Sequence, residues 1–186
     1  LVGRGISYCA TCDAPLFVGK DVVVVGGGNS ALTSVIDLAK LANKVYIVNI
    51  ADDWQADPIL LEKIKNATNI TSLLGHRVSA IHGEKLVTGV TVESVKTKES
   101  KDIIVQGVFI EIGLIPNSEF VKGLVRLTDR GEIVVDCMCN TNVPCIFAAG
   151  DVTTVPEKQI SIAIGEGSKA ALTAYKYLLT QVSKCK

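Results

Sequence analysis

Four consecutive valines at residues 22–25 run straight into Gly26-Gly27-Gly28, and few folds accept such a join. A short, uniformly apolar run bounded by Lys20 and glycines reads as a strand buried inside a sheet. Residues 29–41 follow with apolar positions at Leu32, Val35, Ile36, Leu38 and Ala39, extended by Ala42, which is the spacing of a helix with one buried stripe. Residues 44–50 (KVYIVNI) form a second apolar strand. Strand, glycine turn, helix and strand make a βαβ unit, whose crossover is expected to be right-handed.

The turn itself has the pattern G-x-G-x-x-A at Gly26, Gly28 and Ala31, placed after a strand and at the opening of a helix, as a dinucleotide site requires. Gly26 permits the tight turn, Gly28 lets a pyrophosphate approach the backbone, and Ala31 allows close packing of helix on strand. Asn29 and Ser30 open the helix, where free N–H groups and the helix dipole favour phosphate. A tight turn alone could also explain three glycines. Cofactor choice falls to the end of the second strand, at Asn49. A carboxylate there would grip the ribose hydroxyls of NADH, and arginines would hold the 2′-phosphate of NADPH. Asn49-Ile50-Ala51 supplies neither, which disfavours NADPH and leaves NADH open through a neutral Asn49 contact.

Just ahead of the valine run stands Cys9-Ala10-Thr11-Cys12-Asp13. Two thiols in one turn can close to a small disulfide, with Cys9 attacking a substrate disulfide and Cys12 resolving the mixed species. Asp13 is placed to relay a proton to the leaving thiolate. The competing reading is a pair of apolar core cysteines, with Asp13 as an ordinary turn residue. A zinc site joining Cys9 and Cys12 to Cys137 and Cys139 fits poorly: the second pair has one intervening residue and lies too far away. No metal is expected. Cys137, Cys139, Cys145 and Cys185 read as packing or incidental residues. His76 and His82 have no partner pattern, and Trp54 reads as a surface or interface anchor.

Beyond the βαβ unit, Asp57-Pro58 opens a helix to about Asn66. Residues 70–105 read as an antiparallel meander, with strands at 77–81, 86–95 and 102–106. Residues 107–112 (GVFIEI) form another apolar strand. Later come a hairpin from residues 125–128 and 132–135, a strand at 145–149 ending in Gly150-Asp151, and a helix over 159–182. Asp151, at a strand's carboxyl edge, suits a ribose or ribityl hydroxyl. The boundary falls near residues 113–117, giving domains 1–112 and 113–186. The second is too slight to bury a core alone. Lys+Arg 19 against Asp+Glu 19 leaves no basic field for nucleic acid, and no segment reaches membrane-spanning length. The cytoplasm is therefore the expected compartment.

These motifs, in this order, resemble the low-molecular-weight thioredoxin reductase family, and most closely the branch that includes the flavoprotein subunit of alkyl hydroperoxide reductase. The stretches GRGISYCATCDAP, GKDVVVVGGGNSA, GVFIEIGLIPNSEF, RGEIVVDCMCNTNVPCIFAAGDVTTVP and KQISIAIGEGSKAAL support it across nearly the whole chain. The resemblance implies a Rossmann-like α/β fold with a meander, followed by the C-terminal half of a second such domain, that of FAD. It also implies that this chain lacks the N-terminal FAD half-domain, roughly the first hundred residues.

By the same resemblance Cys12 lies against the flavin, Cys9 exchanges with the partner, and Asp13 is the acid/base. Gly150, Asp151, Lys158, Gln159 and Ile160 are implied near FAD, and Gly113 is implied in a hinge about which the domains rotate. Electrons are expected to run from NADH or NADPH through FAD and the dithiol to a thioredoxin-like or peroxiredoxin-like protein, in a homodimer. The alternatives are an NADH-dependent peroxiredoxin reductase subunit and a redox-sensing module without turnover. Thr33 and Ser34 depart from the acidic pair that often follows GGGNSA in the family.

Overall fold

The computed structural model describes residues 1–182. The chain divides into two compact units, Leu1–Gly113 and Leu114–Lys186. The first opens with β1 (Ile6–Ser7), α1 (Ala10–Asp13) and a 3₁₀ turn (Ala14–Phe17). It continues with β2 (Asp21–Val25), α2 (Asn29–Leu38), β3 (Lys44–Asn49), α3 (Pro58–Lys65) and β4 (Ile70–Leu74). Then come β5 (His76–His82), β6 (Gly89–Ser94), β7 (Ser100–Ile103) and β8 (Gly107–Ile110).

β1, β8, β2, β3 and β4 lie in that order in one sheet, and every neighbouring pair is parallel. Strand alternation assigns the valines to opposite sides. Val22 and Val24, with Val45, Ile47 and Phe109, pack under Leu32, Val35 and Leu38 of α2. Val23, Val48 and Val108 pack against Val90, Val92 and Ile103 on the other side. Those last three belong to the antiparallel sheet β5-β6-β7, so helices, parallel sheet and meander form three layers. Each fully buried aliphatic side chain contributes about 1.5–3 kcal/mol, and this double-sided burial holds the central strands in place.

Residues 70–74 correct the sequence reading. They form the edge strand β4, parallel to β3, rather than the start of the meander. Most of their residues are only half-buried, because an edge strand of a parallel sheet is covered incompletely. α1 and β1 are too short to leave a periodic signal.

The second unit holds a 3₁₀ turn (Glu119–Val121) and the 23-residue helix α4 (Ile160–Val182). Between them the backbone makes isolated bridges rather than strands, including Leu127↔Ile133 and Asn140↔Phe147. The expected strand at 145–149 is thus a single bridge. Its first residue, Cys145, has φ +68°, outside the extended region, so no strand can begin there. The expected hairpin contracts to one bridge with bonds from Thr128 N–H to Glu132 C=O and from Val134 N–H to Arg126 C=O. Among the described residues no helix is long and apolar enough to cross a membrane.

Candidate active site

β1 lies parallel to β8 with Ser7 opposite Phe109, which anchors the chain immediately before the cysteines. Cys9 has an extended backbone and caps α1, its Sγ accepting the Cys12 N–H at 3.1 Å. Cys9 and Cys12 are joined in a disulfide with their Cα atoms 5.3 Å apart. Asp13 N–H donates to the Cys9 carbonyl at 3.0 Å, closing the turn from its other end.

Ser7 organises this turn, and sequence reasoning did not single it out. It is 4% exposed. Its Oγ accepts the Cys9 N–H at 3.0 Å and donates to Asp13 Oδ2 at 2.7 Å. The Cys9 carbonyl is a second acceptor at 3.2 Å, but one hydroxyl proton serves one acceptor, and the nearer carboxylate is the stronger. Asp13 also lines a cavity of about 510 Å³ with Arg4, Phe17, Lys20 and Gln106. The carboxylate thus has a fixed inner partner and an outer space walled partly by cations.

At the other motif, Gly26, Gly28, Asn29, Ser30, Ala31 and Asn49 converge on the carboxyl ends of β2 and β3. Gly26 has φ +140°, and a Cβ there would strike the Glu111 carbonyl and press on Ala31 Cβ. A Cβ on Gly27 would overlap the Asn49 side chain. Asn49 is 3% exposed, and its Nδ2 donates to the Asp53 carbonyl at 2.9 Å and to Gln55 Oε1 at 3.2 Å. Gln55 N–H in turn donates to the Gly27 carbonyl at 2.9 Å, and its backbone bridges Gly28. Asn29 and Asp57 bond reciprocally, Nδ2 to Oδ2 at 2.9 Å and Asp57 N–H to Asn29 Oδ1 at 2.8 Å.

On the opposite side of the turn, the half-buried Glu111 follows β8 and receives two hydroxyls from α2. Ser30 Oγ donates to its Oε2, and Ser34 Oγ donates to its Oε1 at 2.6 Å. The signal for this pair was present in sequence: Ser30 and Ser34 are four apart and share a helix face. What the sequence hid was the strand end opposite them.

In the second unit the remaining candidates gather near the start of α4. A Cβ on Gly150 would meet Ala163 Cβ at 3.4 Å, so that turn lies against the helix. Asp151 is exposed beside it. The buried Thr153 Oγ1 donates to the Gly150 carbonyl at 2.8 Å. Lys158 Nζ pairs with Glu132 at 3.0 Å and donates to the Thr153 carbonyl. The Gln159 carbonyl accepts the Ala163 N–H at 2.9 Å, and Ile160 is exposed at the head of the helix. Gly113 ends the first unit at φ +92°, with no atom within 4 Å of a Cβ placed there.

The downstream cysteines differ from one another. Cys139 is fully buried, and burial followed by its bond to Glu166 pushes the thiol up to about 11. Lys169, 2.7 Å from Glu166, holds that carboxyl below its ordinary range. Cys137 and Cys145 are exposed, with Cys145 Sγ donating to the Tyr177 hydroxyl at 3.0 Å. Cys185 lies outside the described residues. Trp54 packs against the helix-side core rather than standing free. His76 contacts the Leu74 carbonyl, and His82 contacts Thr91 Oγ1, both at 2.6 Å.

With this geometry in hand, comparison with known proteins is informative. The family model described as pyridine nucleotide-disulphide oxidoreductase matches residues 1–167. The chain is 43% identical over 179 residues to the F subunit of alkyl hydroperoxide reductase from Staphylococcus aureus, covering 96% of this chain and 35% of that protein. It is 47% identical over 180 residues to the corresponding protein of Pseudomonas putida, covering 95% of this chain and 34% of that one. The chain therefore spans about a third of the length of these relatives. A crystal structure of thioredoxin reductase from Streptococcus pyogenes superposes with TM-score 0.87 at 37% identity, covering 95% of this chain and 58% of that one. A disulfide beside a Rossmann-like βαβ unit, matched along most of its length, places this chain in the pyridine nucleotide-disulphide oxidoreductase family.

Proposed function

We propose that this chain is the dithiol-bearing part of a flavoprotein disulfide oxidoreductase, passing electrons from a nicotinamide dinucleotide through FAD and Cys9–Cys12 to a protein disulfide. The observation behind this reading is the closed Cys9–Cys12 bridge with Asp13 anchored beside it through Ser7. Residues 1–112 act as the pyridine-nucleotide domain and residues 113–186 as the C-terminal part of the FAD domain, with Gly113 in the hinge between them.

FAD, when bound, supplies the electron pair that breaks the Cys9–Cys12 bond. Gly150, Asp151, Lys158, Gln159 and Ile160 would hold it, and their surroundings suit a polar, hydroxyl-rich ligand. Asp151 offers an exposed carboxylate where the Gly150 turn meets α4. Exposed apolar side chains along α4, including Ile164 and Leu172, leave a surface that suits burial against further parts of a domain.

The chemistry of the chain's own residues then follows. The Cys9 thiolate attacks one sulfur of the partner disulfide, forming a mixed disulfide, and the partner's other sulfur leaves as a thiolate. Asp13 delivers the proton that this sulfur takes up. Cys12 next gives up its thiol proton and attacks Cys9 Sγ, releasing the partner's second sulfur, which takes up that proton, and restoring the Cys9–Cys12 bond. Net, the partner gains two electrons and two protons, and the chain loses them.

The partner is thioredoxin-like or peroxiredoxin-like, the donor is NADH rather than NADPH, and the working form is a cytoplasmic homodimer. Identity to the F subunits of two alkyl hydroperoxide reductases favours the peroxiredoxin side, as an NADH-dependent reductase subunit. The test is Cys12→Ser in the flavin-loaded whole protein. It should keep its yellow colour and lose reduction of a protein disulfide in steady-state assay. Turnover at the unchanged rate would make the pair structural.

A further inference from the structure

In a dinucleotide site the glycines of the turn make room for the ligand, and the helix head offers its charge to phosphate. Here the protein's own groups already stand against the inner glycines: a Cβ on Gly26 would strike the Glu111 carbonyl, and one on Gly27 would meet the Asn49 amide. Gly28 keeps its space, with the Gln55 carbonyl oxygen at an ordinary van der Waals distance of 3.7 Å from where a Cβ would stand. Asn49, placed where a ribose contact is expected, spends its amide hydrogens on Asp53 and Gln55.

The charges around the turn point the same way. The Glu111 carboxylate accepts the Ser30 and Ser34 hydroxyls along the first two turns of α2, which sets a negative charge beside the helix head that an incoming phosphate would approach. Asp57 stands against Asn29 on the other flank. Among the described residues no lysine or arginine forms an ion pair with Glu111, Asp53 or Asp57. The rim therefore presents fixed negative charge without a compensating cation.

We propose that Glu111 is a specificity-determining residue whose carboxylate, held beside the head of α2 by Ser30 and Ser34, weakens binding of any pyrophosphate-bearing dinucleotide at the glycine turn. The inference rests on the functional reading above and refines its reductant: nicotinamide dinucleotides serve as low-affinity donors, held back by charge rather than by lack of space. Neutralising this one side chain removes the repulsion and leaves hydrogen-bonding groups for both serines.

The experiment uses the flavin-loaded whole protein, as wild type and as Glu111→Gln, with NADH as the probe. The dissociation constant is measured by equilibrium dialysis at two ionic strengths, about 0.05 M and about 0.3 M, where screening differs strongly. Glu111→Gln should bind NADH at least about tenfold more tightly at low salt, a difference of roughly 1.4 kcal/mol. Raising the salt should tighten NADH binding to the wild type, because repulsion is being screened, and should do so less in the variant, which keeps Asp53 and Asp57. Equal or weaker binding by the variant overturns the proposal, as does undetectable binding by both proteins. Should the variant not fold, the wild-type salt series decides alone: binding that weakens with salt refutes it. A separate arm reduces the protein with dithionite and follows transfer to a protein disulfide. Failure there indicts the oxidoreductase reading and leaves the binding result standing on its own.

Discussion

Ser7 joins the two groups to which the proposed exchange gives different steps. Its oxygen fixes the backbone of Cys9, the proposed attacking thiol, while its proton fixes Asp13, the proposed acid. Ser7→Ala should cost about 1–3 kcal/mol of stability, because a buried N–H loses its acceptor. It should also slow reduction of a partner disulfide by about tenfold, a part of the effect a positioned acid supplies. Stopped-flow measurement across pH checks this: a merely structural residue would leave the shape of the profile unmoved, and Ser7→Thr should restore it. Cys139 gives a second residue-level expectation. Its thiol is held neutral up to about 11, against 9.0 ordinarily, by burial and by Glu166. The folded form therefore binds this proton more tightly than the unfolded chain does. The resulting stability is complete below pH 9, declines between about 9 and 11, and is absent from Cys139→Ala. Denaturant melts at stepped pH measure it, and alkylation of native protein at pH 8 should label Cys137 and spare Cys139. At this scale the sequence was legible where local spacing sets geometry, as with the Cys9–Cys12 bond and Asp13 in one turn. Ser7 and Glu111 were illegible because their meaning lies in what a neighbouring strand or helix brings opposite them.

Among the elements, the βαβ unit is the clearest case of pattern becoming structure. Residues 22–25 and 45–48 are apolar on both faces because a layer packs on each side, and only a central parallel strand needs that. The edge strand β4 lacks one neighbour and is only half-buried, so its own residues do not mark it as part of the buried parallel sheet. The turns of the second unit defeated periodicity for another reason. Positive φ at Cys139 and Cys145 redirects the chain, and neither residue type announces that conformation. The segment from Asp53 to Asp57 offers a test of element-level coupling. Asn49→Ala removes the donor to Asp53 and Gln55 and should lower stability by about 1–3 kcal/mol. The loss should appear in thermal melts, with hydrogen exchange rising first at Gln55, whose N–H closes onto Gly27.

For the whole molecule the uneven distribution of core matters most. Both large buried clusters lie within residues 1–113, where helices and meander clamp a five-stranded sheet. The second unit relies on a few buried side chains, among them Val125, Ile133 and Cys139, and a long helix with many exposed apolar residues. Residues 1–113 expressed alone should therefore unfold cooperatively in urea with near-native circular dichroism, and residues 114–186 alone should not. A cooperative transition in the smaller piece would show that its helix finds enough partners without help. The contrast also explains why the central βαβ unit could be read from its residues while most turns of the second unit could not.

Gly26 and Gly27 cannot gain side chains without colliding with the protein's own strand end and amide. Selection on folding alone is then enough to preserve them, whatever happens to the ligand. A lineage could abandon its nucleotide and still display the fingerprint for as long as the sheet survives, so in chains of this kind the motif records ancestry more faithfully than it records present diet.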